Sequence, residues 1–169
     1  QSANAIELTG DTYSLSFSKE NGSLLSVNQA GKTGSIWKSG EQGLWNARFR
    51  DNTEVNAAAF KPTGERTFRW STADGGLKLE YLAPEISVTV TVTPGSGSAD
   101  FRAEVQPREK TILEFALPAR LRFEPQSVER FVSPMAGGTS VGSAFNSHFF
   151  EAQSQETPGG WAPKPFGTA

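Results

Sequence analysis

The sequence predicts an all-β protein, an antiparallel β-sandwich of about ten strands with little or no helix. Three observations carry that expectation. Apolar and polar residues alternate with a period of two through most of the chain. Seventeen glycines and ten prolines, with many serines and threonines, cut the alternation into short runs. Segments with helical spacing are scarce, and "FNSHFFEAQSQE" is the only stretch that offers even a weak one.

The elements follow in chain order. "TYSLSFS" sets Tyr13, Leu15 and Phe17 against Ser14, Ser16 and Ser18. "KENG" follows as a hairpin turn, with Asn-Gly supplying positive φ angles. "SLLSVNQ" returns with Leu25 and Val27 on one face, and "QAGKTG" turns the chain again. "GLWNARFRD" points Trp45, Ala47 and Phe49 one way; "RTFRWS" does the same with Phe68 and Trp70. After Asp74-Gly75-Gly76, "LKLEYL" alternates Leu77, Leu79 and Tyr81 with Lys78 and Glu80. "EISVTVTVT" is the purest strand, with Ile86, Val88, Val90 and Val92 inward. "PGSGS" breaks it. "ADFRAEVQ" then directs Phe101, Ala103 and Val105 inward, and "TILEFALP" directs Leu113, Phe115 and Leu117. "RLRFEP", with Phe123, and "VERFVSP" complete the series. One-sided alternation of this kind belongs to antiparallel sheets with a single buried face.

Bulk properties narrow the function. A chain of 169 residues is about one domain and buries a core without staples. Residues 1–155 are expected to form a single sandwich, and 156–169 an irregular tail or linker, given "TPGGWAPKPFGTA". Cysteine is absent, which removes disulfides and thiolate metal sites. Sixteen basic and 18 acidic residues give a net charge of -2, so no basic stripe invites nucleic acid. No apolar run approaches the roughly 18 residues of a membrane span, so no membrane partner is expected. The opening "QSANAIEL" suits a mature terminus left after removal of a signal peptide.

Chemical motifs are few. "RFVSPMAGGTSVGSAF" is rich in glycine but lacks the lysine of a phosphate-binding loop and the βαβ setting of a dinucleotide fingerprint. It is expected to be a strand end, Arg130–Pro134, followed by a loop at a sandwich edge. His148 stands alone, without a second histidine or a nucleophile elbow, so it makes neither a metal site nor a triad by itself. Glu80, Glu85, Glu104, Glu114 and Glu129 could in principle supply the carboxylate pair of a glycosidase. Glu80, Glu104 and Glu114, however, fall on the polar side of their strands. No catalytic and no metal-ligating residue is assigned. A structural calcium held by backbone and Asp/Asn oxygens stays open, although there is no EF-hand-type loop.

Aromatic residues are more informative. Phe17, Phe49, Phe68, Phe101, Phe115 and Phe123 share faces with Leu and Val and are expected in the core, as are Trp45 and Trp70. Trp37 in "GSIWKSG" and Trp161 in "PGGWAPKP" have turn-like surroundings instead. A tryptophan presented this way can stack on a sugar ring while nearby polar side chains bind its hydroxyls. The candidate ligand-binding residues are therefore Trp37, Trp161, His148 and Asn146.

These strands also form a larger pattern. "TYSLSFSKENGSLLSV", "GLWNARF", "FRWS" before "LKLEYL", and "VTVTVTP" resemble the opening of the galactose mutarotase-like supersandwich domains. Those domains precede the catalytic domains of large bacterial glycoside hydrolases. "LEFALPARLRFEP" and "VERFVSPMAGGTSVGSAF" resemble the closing half, so the resemblance covers about residues 5–150. It implies a secreted or cell-envelope protein acting on polysaccharide. The implied partners are an oligosaccharide or polysaccharide and a catalytic domain of the same polypeptide. Free-standing mutarotases use more than one histidine, which this chain lacks, so the resemblance implies a non-catalytic accessory module. Two alternatives remain: a sugar-active epimerase or hydrolase using carboxylates and His148, and a structural interdomain module.

Overall fold

The computed structural model describes residues 4–31, 37–73, 75–123, 130–133 and 139–142. The chain divides into two compact units, Gln1–Phe123 and Glu124–Ala169.

Among the described residues the first unit is all-β, with twelve strands. Four of them form a meander: β1 (Ala5–Thr9), β2 (Tyr13–Ser18), β3 (Leu24–Gln29) and β4 (Trp37–Ser39). The chain then makes β5 (Asn46–Phe49) and β6 (Glu54–Asn56), and a single 3-10 turn at Ala57–Ala59. A second meander follows: β7 (Thr67–Ala73), β8 (Gly76–Leu82), β9 (Ile86–Pro94) and β10 (Ala99–Pro107). Next, β11 (Ile112–Ala116) returns to pair with β5, and β12 (Leu121–Phe123) pairs with β4. The result is three antiparallel sheets, ordered β1-β2-β3-β4-β12, β10-β9-β8-β7 and β11-β5-β6. The expected all-β sandwich is therefore found. In the second unit, β13 (Arg130–Ser133) and β14 (Thr139–Gly142) pair as an antiparallel hairpin, from Arg130 opposite Gly142 to Ser133 opposite Thr139. β13 falls on the strand end expected at Arg130–Pro134; residues 134–138, where the loop was expected, lie outside the described residues, and a strand follows them.

One core joins the three sheets. The first sheet brings Ile6, Leu8, Leu15, Phe17 and Leu24. The second brings Phe68, Leu77, Leu79, Tyr81 and the buried face of β9, namely Ile86, Val88, Val90 and Val92. β-Branched residues dominate that face because they pack well on a pleated surface. The third sheet adds Ala47, Phe49 and Val55, with Trp45 at the head of β5. Trp45 meets Tyr81 edge-on at 5.3 Å and lies stacked with Phe115 at 5.8 Å. Phe17 and Phe101 approach to 6.3 Å across the first two sheets.

Four expectations need correction. Leu25 is 45% exposed, and Leu24 is buried in its place. A bulge explains it: Ser16 pairs with Ser26 and Phe17 with Leu24, which leaves Leu25 as an extra residue swung outward. Leu113 is 58% exposed for the same reason, since the register shifts between Ile112 and Glu114. Trp70 keeps the inward phase, opposite buried Leu79, but β7 is an edge strand and the indole is 39% exposed. The Lys19 ammonium lies 5.9 Å above its ring. In the β2–β3 turn only Gly22 takes a positive φ, at 67°, while Asn21 accepts a bond from the Ser23 N–H through its side chain. Phe101 and Phe115 are half-buried at the margin of the core. The Phe123 side chain is outside the described residues.

Candidate ligand-binding site

A cavity of about 470 Å³ opens where the inner face of the first sheet meets the turn between β9 and β10. That volume falls within the roughly 300–1,000 Å³ typical of small-molecule sites. Pleating decides which side chains reach it. Along β2 and β3, Tyr13 faces Gln29 and Leu15 faces Val27 in register. Val27 in turn faces Trp37 on β4. All five lie on one face, because side chains alternate along a strand and opposed residues share a side. Leu121 of β12, opposite Ser39, completes this wall. Ala99 and Phe101 of β10, with Gly97 and Ser98 of the preceding turn, form the facing wall. Leu44 and Pro118 close one side.

Burial separates floor from rim. Leu15, Leu24 and Leu44 are buried and form the floor. Trp37 is 44% exposed and stands at the rim with Thr12, Gln29 and Ser98, which are also exposed. Asn28 borders the cavity too, but its side-chain amide donates to Ser26 Oγ at 3.2 Å, and both belong to the opposite face of β3. Its contribution is therefore main chain. Among the described residues the cavity wall holds no Asp, Glu, His, Lys or Arg. Its polar groups are amides, hydroxyls and backbone.

The rim is held by Tyr13. Its hydroxyl donates to the Ser98 carbonyl and accepts from the Gly95 N–H at 3.2 Å. Thr12 Oγ1 reaches the Ser96 carbonyl at 3.4 Å. Thr12 and Tyr13, at the start of β2, thus add outside bonds to a Gly-Ser turn that also closes on itself through Gly95 N–H to the Ser98 carbonyl at 2.7 Å. Gly10 makes room for the tether: a Cβ there would lie 2.4 Å from the Tyr13 ring.

Charged groups are spent elsewhere on the surface. Glu114 pairs with Arg48 at 2.9 Å, Glu80 with Lys78 at 2.8 Å, and Glu85 with Arg66. Asp51 accepts from Thr53 and from Lys110, 2.7 Å away, and these donors, Lys110 first, hold its carboxyl far below the usual carboxylate range. No group of three or more His, Cys, Asp or Glu that could hold a metal ion occurs among the described residues.

Of the four residues expected to bind ligand, the structure places Trp37 at the cavity rim, on strand β4 instead of in a turn. Asn146, His148 and Trp161 lie outside the described residues. Gln29 and Tyr13 escaped the sequence reading as site residues. Gln29 ends a strand and carries no motif, and Tyr13 reads as core from its phase alone. A signal was present nonetheless in "PGSGS", a glycine-rich turn of the kind that outside contacts help to order. No family model, curated protein or solved structure matches the chain.

Proposed function

We propose that this chain is a non-catalytic carbohydrate-binding module, in which a sugar ring stacks on Trp37 and is held by polar groups at the cavity rim. The observation that carries the reading is the half-exposed Trp37 indole at the mouth of a preformed cavity. A sugar presents an apolar C–H face and a ring of hydroxyls. The indole suits the first, while the Gln29 carboxamide and the Ser98 and Thr12 groups beside it suit the second. Among the described residues the wall offers no carboxylate and no histidine, and its one phenol, Tyr13, is bonded to the turn from Gly95 to Ser98, which supports binding over hydrolysis or epimerisation. The wider setting belongs to the same proposal. The strand pattern resembles accessory domains of large secreted bacterial glycoside hydrolases, so the module would hold polysaccharide for a catalytic domain of the same polypeptide.

A glycan array followed by calorimetry on the best hits tests this. The wild-type chain is expected to bind a subset of glycans, and Trp37→Ala to weaken that binding at least about fivefold without changing the melting temperature. Removing an aromatic on which a nucleobase stacks costs about 1–3 kcal/mol, and a comparable loss is expected for a stacked sugar ring. A blank across plant, microbial and host glycans would leave a structural interdomain role in its place.

A further inference from the structure

We infer that the ligand is an amphipathic glycoside, a sugar carrying an aliphatic or aryl substituent, with the sugar at the rim and the substituent in the cavity. This rests on the reading of the rim as a glycan site and extends it inward. The interior is unlike the rim. Its floor is Leu15, Leu24 and Leu44, and its walls are Val27, Phe101 and Leu121. None of these side chains offers a hydrogen bond.

An unsubstituted sugar is hydroxylated on every edge. Pushed against this floor, it would bury hydroxyls with no partner, which is costly. Kept at the rim, it would leave the apolar interior to water. A ligand with one polar and one apolar end satisfies both zones: hydroxyls meet Gln29, Ser98 and Thr12, and hydrocarbon meets the leucines. Trp37, 44% exposed and lining the cavity, lies at the boundary of the two zones. The Tyr13 hydroxyl does not compete for the substituent, since it is engaged by the turn from Gly95 to Ser98.

The test compares matched probes by calorimetry on the full chain. Octyl and methyl β-glycosides of glucose, galactose and N-acetylglucosamine are titrated below micelle-forming concentrations, with 1-octanol as the apolar control. Each buried methylene is worth about a fourfold gain in affinity. At least one octyl glycoside is therefore expected to bind thirtyfold or more tighter than its methyl partner, and tighter than octanol. Leu121→Trp, which fills the interior from an edge strand, is expected to abolish that chain-length dependence, and an octyl preference that survives it would overturn the placement of the substituent in the cavity. Equal binding of octyl and methyl glycosides would overturn the amphipathic ligand while leaving the glycan site standing. Octanol binding as tightly as every octyl glycoside would overturn the glycan site, since the sugar would contribute nothing. Failure of every probe to bind would overturn both.

Discussion

Gly22 shows how much one residue can fix. Its φ of 67° is in the left-handed region, and a Cβ would lie 2.3 Å from the Tyr81 hydroxyl oxygen and 2.8 Å from the Phe68 ring. Gly22→Ala therefore suffers twice, from backbone strain and from collision with the buried aromatic cluster. It is expected to lose at least ~2 kcal/mol in denaturant unfolding. Tyr81 carries the second residue-scale expectation. Burial pushes its phenol well above the ordinary value of 10.0. The folded chain keeps the proton where the unfolded chain releases it, so the unfolded state binds fewer protons above about pH 10. Stability is accordingly full below about pH 10 and falls as pH rises beyond it, by up to ~1.4 kcal/mol per unit. Absorbance titration is expected to show Tyr81 ionising only together with unfolding, and a reversible phenolate signal from both tyrosines in the native state would contradict this. The glycine was legible in the sequence as half of an Asn-Gly turn. Its role as the seat of Tyr81 was not, because that contact spans 59 positions of chain, the difference between 22 and 81.

Most strands could be read from alternation, and the two misplaced leucines have one physical source. A period-two pattern assumes that every residue of a strand has one partner. Leu25 and Leu113 are each the extra residue of a bulge, so each leucine that looks inward by spacing points outward. The short strands β4 and β6, of three residues each, are below what alternation can detect. The turn between β9 and β10 carries the element-scale expectation. Tyr13 is its main tether, through bonds to the Ser98 carbonyl and the Gly95 amide. Tyr13→Phe keeps the ring above Gly10 and removes only those bonds. The Gly95 amide is then expected to exchange with solvent about fivefold faster, matching the loss of about 1 kcal/mol for a typical hydrogen bond. Melting temperature is expected to change little, because the turn is outside the core. Unchanged exchange at Gly95 would mean that the turn is held by its own Gly95–Ser98 bond instead.

At the scale of the molecule, the sandwich explains why Trp37 matters and Trp45 does not. Both precede or begin short strands. Trp45 is fully buried among Phe60, Tyr81 and Phe115, where it stabilises the junction of two sheets. Trp37 sits on β4, near the margin of its sheet and beside β12, over a cavity that the opposing turn roofs only in part. Sequence could separate the two by their surroundings. It could not show the cavity, which requires β2, β3, β4, β10 and β12 to converge from positions more than 100 residues apart, from Tyr13 to Leu121. The most direct test follows backbone and side-chain amide chemical shifts while a glycan from the array is titrated in. Binding in the cavity is expected to move the Trp37 indole N–H, the Gln29 side-chain amide, and the Gly97 and Ser98 amides together, with one affinity. Shifts confined to another face of the sandwich, with these four signals unmoved, would contradict the assignment of the site.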